Sequence, residues 1–210
     1  MKIYDITLPV YEGMPVYKNK EEKQPSFEVT QDFETGKVHE TRIHLDVHTG
    51  THVDAHLHML PDGETIESIP VEELIGPCKV FDLTGVEKGI AKEDIVNLDI
   101  QEHDIVLFKT KNSFDTEFNF EFIYVKEDAA KHLADIGVKI VGIDALGIER
   151  AQEGHPTHKS LMHKNVIIIE GLQLKEVQEG HYFMVAAPLK LQGTDASPAR
   201  VILFDQAPQA

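Results

Sequence analysis

Apolar and polar residues alternate along this chain in short blocks, most of them of strand length. Residues 2–8 (KIYDITL) alternate with period two and predict a first strand. Residues 11–25 carry Gly13, Pro15 and Pro25, which deny regular structure. Pro15-Val16-Tyr17 is an apolar island in that polar loop, either lining a pocket or stapling the loop to the core. From Phe27 to Val47 the pattern is a β-hairpin, with SFEVTQDF and KVHETRIHLDVH on either side of Glu34-Thr35-Gly36. In the second arm Ile43, Leu45 and Val47 share one face and His44, Asp46 and His48 the other, so the strand should deliver His48 on its polar side.

Pro61-Asp62-Gly63 reads as a turn, and SIPVEELIG as a short helix closed by Gly76. Strand-like CKVFDL, helical AKEDIVN and strand-like DIVLFKT follow, then a polar loop near Asn112 to Asn119. Val125 to Ile136 has helical spacing, with Ala130, Leu133 and Ala134 on one side and Gly137 as its stop. VKIVGID, VIIIE, YFMVAAPL and ARVILF are further strands, and their unbroken apolar runs imply sheet covered on both faces. The pattern predicts a strand-rich, mixed α/β fold, with residues 1–210 as a single domain.

Composition adds exclusions more than identity. With 210 residues, 41% apolar and 27% charged, the chain resembles an ordinary soluble globular protein. A net charge of -16 with scattered lysines and arginines argues against nucleic acid or an anionic membrane as partner. No apolar run approaches the ~20 residues that cross a bilayer. The N-terminus is too polar for a signal peptide, and Cys78 is the single cysteine, which fits a reducing compartment. A cytoplasmic location is expected, and Cys78 itself reads as a small buried hydrophobe.

The candidate chemistry lies at residues 46–58, DVHTGTHVDAHLH. Five of the 12 histidines fall between His44 and His58. Rings that protonate alike repel when crowded, unless metal or carboxylates hold them, and imidazole with carboxylate is what borderline divalent metals bind. Histidines 44, 48, 52 and 56 are spaced by four, as on a helix face, but Thr49, Gly50, Thr51 and Val53 are poor helix formers. On an extended path His52, Asp54, His56 and His58 fall on one side, while Gly50 lets the backbone turn so that His48 and His52 converge. Asp54, with two oxygens, is able to bridge two ions. GHPTHKSLMHKNVIIIEG is the densest source of further ligands, with His155, His158, His163 and Glu170. Glu170 ends a buried apolar run, where a carboxylate needs a cation, either a metal or a protein charge. No G-x-S-x-G elbow, Walker loop or G-x-G-x-x-G is present, which leaves water activated at a metal as the route to hydrolysis.

HTGTHVDAHLH resembles H-x-G-T-H-x-D-x-P-x-H, the signature of the cyclase family that includes bacterial kynurenine formamidases and isatin hydrolase. His158 and Glu170 stand twelve residues apart, as that family's remaining ligands do. DITLPVYEGMPVY, GIDAL and AAPLKLQGTDASPAR are weaker echoes, so the similarity spans the chain. The resemblance implies a swivelling β/β/α fold and a pair of divalent ions, zinc foremost and manganese as an alternative. His48, His52 and Asp54 would bind the first ion, and His158 and Glu170 would complete the second, with Asp54 and Glu170 shared. His58 would be the acid/base, and Tyr17 would stand against the substrate ring. It also implies a homo-oligomer, dimer or higher, acting on a small molecule: an aryl formamide, or else an isatin-type cyclic amide or a lactone. A non-catalytic metal-binding protein is the remaining alternative. Three positions depart from the family: His56 replaces the motif's proline, Tyr17 an aromatic that is usually tryptophan, and Gly147 a common serine.

Overall fold

The structure is a computed structural model that describes residues 1–207. Its strands are β1 (Ile3–Asp5), β2 (Ser26–Gln31), β3 (Glu40–His44), β4 (His52–Asp54), β5 (Ile75–Asp82), β6 (Ile105–Lys109), β7 (Ile140–Ile143), β8 (Ile167–Glu170), β9 (Gly180–Pro188) and β10 (Ala196–Phe204). The helices are α1 (Lys92–Ile95), α2 (Glu127–Ile136) and α3 (Pro156–Met162). Mixed α/β, strand-rich architecture is therefore present as the pattern predicts.

Eight strands run in the order β1-β10-β4-β8-β7-β6-β5-β9, and β9 also pairs with β10. That last pairing closes β10, β4, β8, β7, β6, β5 and β9 into a barrel. Strands β5 to β8 are mutually parallel and the other pairings are antiparallel. Parallel strands need crossovers, and α2 and α3 supply two of them on the outer face. The β6 sequence IVLFK and the β7 sequence IVGI are buried throughout, because helices cover their outsides and the barrel interior covers their insides.

Alternation sorts these strands into two cores. Cys78, Val80, Leu107, Ile140, Ile169, Met184 and Val201 fill the barrel, and Phe81, Val106, Phe108, Val141 and Ile168 face the helices. Cys78 is inert: burial pushes its thiol up to about 12. Helix α2 begins with Glu127 and Asp128, charges that suit its positive end, and stops at Gly137 in the left-handed conformation.

The structure corrects three local expectations. Gly76 closes no helix; it lies inside β5, after 3-10 turns at Ile66–Ser68 and Val71–Leu74. Helix α3 was not foreseen, since the histidines and Pro156 in its sequence mask a helix that uses the proline at its first turn. The hairpin exists, but β3 ends at His44 and so does not carry His48. The Asp46 carboxylate accepts the His48 backbone N–H at 2.9 Å, a local turn that replaces the strand ladder. The hairpin β2/β3 forms a separate two-stranded sheet with Val29, Ile43 and Leu45 exposed on it.

Candidate metal centre

Residues of the expected site meet where β4 joins β8. The antiparallel register sets His52 opposite Glu170 and Asp54 opposite Ile168. Because side chains alternate, His52, Asp54 and Glu170 leave on the helix-covered face while Val53 and Ile169 enter the barrel. All three polar residues are buried.

Two glycines allow this junction. Gly50 precedes β4 and Gly171 follows β8, both at positive φ (64° and 68°). A Cβ on Gly171 would lie 2.3 Å from the Gly50 carbonyl oxygen, which cannot give way without moving the His52 strand. We expect Gly171→Ala to cost about 2–3 kcal/mol in denaturant unfolding and to weaken metal uptake. An unchanged midpoint would show that the junction yields freely.

The rings of His52 and His158 are each held by Nδ1. His52 Nδ1 donates to the Gly50 carbonyl at 3.0 Å, which leaves Nε2 3.4 Å from Asp54 Oδ1 and 3.3 Å from Glu170 Oε2. His158, on α3, donates from Nδ1 to Glu149 Oε2 at 2.7 Å, and its Nε2 lies 3.4 Å from Glu170 Oε1 and 3.9 Å from Asp54 Oδ2. Glu149 also accepts the backbone N–H groups of Thr157 and His158, so it fixes the start of α3 and the ring together. His48 sets Nδ1 3.1 Å from Asp54 Oδ1 and Nε2 3.0 Å from Asp195 Oδ2. A 3-10 turn at His56–His58 brings His58 Nδ1 to 3.3 Å from the same Asp195 oxygen.

Two overlapping triads of ligand-capable atoms result, His48–Asp54–His58 and His52–Asp54–Glu170, each with its atoms within 4.8 Å of one another. His158 flanks the second from the helix side. Buried His52 Nε2 and both Asp54 oxygens have no hydrogen-bond partner. Unpartnered polar atoms that converge in a dry site are costly in a protein and fit the coordination of a divalent cation. The donor set, imidazole and carboxylate, suits zinc or manganese.

The electrostatics agree with that arrangement. Burial alone pulls the His52 ring down, but Asp54 and Glu170 overcome it and raise the ring to about 10. Burial likewise opposes His158, which Glu149, Glu170 and Asp54 raise to about 10. Burial and the Asp54 charge push Glu170 up, yet His158 and His52 bring it down to about 2. His58 differs: burial keeps its pKa below the ordinary histidine value, although Asp54 and Glu170 pull the other way.

Tyr17 stands beside the cluster. Its ring packs edge-on against Phe118 and Phe122, with centroids 5.5 and 6.4 Å away. Burial, then the charges of Glu170 and Glu149, push its phenol up, so the ring lies within range of the acidic end of the site. Gly147 makes room for it, since a Cβ there would be 3.0 Å from Tyr17 Cε2. A cavity of about 320 Å³ opens next to these aromatics, bordered by Leu8, Met14, Phe118, Phe122, Leu146 and Gly171. It begins one residue beyond Glu170 and contains none of the histidines.

The other histidines stand apart. His44 is exposed on the hairpin. His56 turns away with a buried, unpartnered Nε2 and a pKa lowered by burial. His155 is more than half exposed, 4.0 Å from Glu149, and forms with Glu149 and His158 a third ligand-capable group at the start of α3, whereas His163 joins no such group among the described residues. Sequence reasoning missed Asp195 and Glu149. Asp195 stands in the GTDASPAR segment, where a carboxylate just before a buried strand was the available signal. Glu149 has no comparable mark, because its partner His158 is brought to it only by α3.

The Cyclase family model ("Putative cyclase") matches residues 4–150. A kynurenine formamidase of Salinibacter ruber is 33% identical over 208 residues, 98% of each chain. One of Paracidovorax citrulli is 32% identical over 96% of this chain and 95% of its own. A solved "predicted metal-dependent hydrolase" of Bacillus stearothermophilus is 66% identical, with TM-score 0.91 and 98% of both chains covered. Isatin hydrolase A of Labrenzia aggregata, at 22% identity and TM-score 0.84 over 98% of this chain and 94% of its own, shares the fold. Fold, site and relatives together define an enzyme, an amidohydrolase. The chain belongs to the cyclase family.

Proposed function

We propose that this enzyme hydrolyses the amide bond of an aryl formamide, the reaction for which its kynurenine formamidase relatives are named. The observation that carries the reading is the convergence of unpartnered His52 Nε2, Asp54 Oδ1 and Asp54 Oδ2 on Glu170. His48, His52 and Asp54 would hold one divalent ion and His158 and Glu170 would complete a second, with Asp54 and Glu170 serving both and zinc preferred to manganese. Such a pair supplies Lewis acidity for the amide carbonyl and a nucleophilic water at neutral pH.

The side chains do the rest. His58, which burial keeps below the ordinary histidine value and so unprotonated at neutral pH, takes a proton from the attacking water and delivers it to the departing aryl nitrogen. Tyr17, with Phe118 and Phe122 behind it, supports the aryl ring, and the buried setting keeps bulk water from the reacting carbonyl. The protein works as one domain over residues 1–210, in the cytoplasm, as a homo-oligomer. Apolar side chains exposed on the two-stranded β2/β3 hairpin support assembly, because such a hairpin is marginal alone.

The test is turnover on N-formylkynurenine, isatin and a lactone, before and after metal removal and replacement. The formamide is expected to be hydrolysed fastest and only with metal present. A preference for isatin or the lactone would move the activity to a cyclic substrate, and no metal-dependent turnover on any would leave a binding protein. His58→Ala should cost about 10²–10⁴-fold in kcat and leave metal content unchanged. His58 also lies in a ligand-capable triad, so loss of metal in that variant would make it a ligand instead.

A further inference from the structure

Asp195 precedes β10, and its backbone carbonyl accepts the Ala55 N–H at 2.9 Å, which registers its side chain on the strand that carries His52 and Asp54. A single oxygen, Oδ2, faces both His48 Nε2 at 3.0 Å and His58 Nδ1 at 3.3 Å. The His48 and His58 rings lie beside each other, with centroids 4.2 Å apart. A carboxylate has no proton to give, so each nitrogen facing it must be the protonated one. His58 is then left with a bare Nε2; His48, whose Nδ1 also faces a carboxylate, 3.1 Å from Asp54 Oδ1, keeps its Nε2 proton on Asp195 when an ion displaces the proton on Nδ1.

We propose that Asp195 is a positioning residue that sets the tautomer of His48 and His58 together, so that one ring offers a metal ligand and the other a proton acceptor. The catalytic half of this rests on the role given to His58 above; the tautomers do not. A free histidine side chain prefers the proton on Nε2, the arrangement Asp195 already holds in His48 but the reverse of the one it holds in His58, so without Asp195 the bare nitrogen of His58 would become Nδ1. The carboxylate acts on the reaction only through the two rings, as outer carboxylates do on metal-bound histidines. It is 40% exposed, so it is not needed to fill the core.

The experiment uses ¹⁵N-histidine spectra of the metal-free full-length chain at alkaline pH, assigned with His58→Asn. The wild type should show His58 protonated at Nδ1, Asp195→Ala should move it to Nε2, and Asp195→Asn, which keeps an oxygen acceptor, should retain Nδ1. Zinc titrated into the metal-free Asp195→Ala chain should bind about 10–100-fold more weakly at one position. Its kcat should fall about 100-fold with KM nearly unchanged, and Asp195→Asn should recover most of that. Should alanine prevent folding, Asp195→Ser, too short to reach the rings, replaces it. An unchanged His58 tautomer in the alanine or serine variant overturns the proposal, as does unchanged zinc affinity. A moved tautomer and weakened zinc binding with full turnover would uphold Asp195's hold on the rings and overturn the proton role of His58 instead.

Discussion

Asp54→Ala is expected to empty both metal positions and to slow hydrolysis by about a thousandfold or more, the equivalent of ~4 kcal/mol of lost transition-state stabilisation. The reason is topological. Asp54 is the one residue common to both triads, with Oδ1 beside His48 and His52 and Oδ2 turned to His158. No neighbouring carboxylate is placed to substitute, since Glu170 lies opposite His52 and Asp195 is committed to two rings. Elemental analysis and turnover on the same preparation make the measurement. Loss of a single ion with activity reduced only tenfold would show that Asp54 serves one position, and that the two triads are independent.

The second large effect is on pH dependence, and its sign reverses with metal. In the metal-free enzyme His52 and His158 have pKa values raised from 6.5 to about 10. A group raised in this way stabilises the fold fully below the unfolded value of 6.5, and its contribution is lost as pH rises through about 10. Glu170 is lowered from 4.5 to about 2, so its contribution is present above 4.5 and lost as pH falls toward 2. Thermal unfolding of the metal-free enzyme should therefore peak between about 4.5 and 6.5 and decline on both sides. Metal competes with the same protons, so the loaded enzyme should gain stability over the alkaline range in which the metal-free enzyme loses it. Calorimetric titration of zinc in buffers of different ionisation heat should show protons released on binding. A flat metal-free melting temperature between pH 6.5 and 10 would mean that the buried rings are not charged in the folded state.

Much of the fold was written in strand-length apolar runs. VIIIE, VKIVGID and DIVLFKT became β8, β7 and β6 because strands buried on both faces need no polar alternation to declare themselves. Closure of the barrel was not legible, since the β9–β10 pairing depends on two distant strands meeting. Helix α3 was hidden because three histidines and a proline look like loop chemistry until the left-handed His155 and the proline first turn are seen. At the site, the motif placed His48, His52, Asp54 and His58 together because it is nearly continuous in sequence. The period-two alignment expected of His52, Asp54, His56 and His58 held only for His52 and Asp54; a 3-10 turn presents His58, and a turn rather than the expected strand presents His48. Glu149 and Asp195 escaped because their meaning lies in the rings they face across the fold.

The join between β4 and β8 has one more consequence. On the two sides of this join the barrel changes character, from four parallel strands to antiparallel ones, and β4 is only three residues long. So short a stave contributes few backbone bonds, and the wall is thinnest where the ligands are gathered. An ion gripping His52 from β4 and Glu170 from β8 would act as a rivet across that wall. Catalytic competence and closure of the barrel would then share one fastening, and an enzyme stripped of metal would come apart first at its own active site.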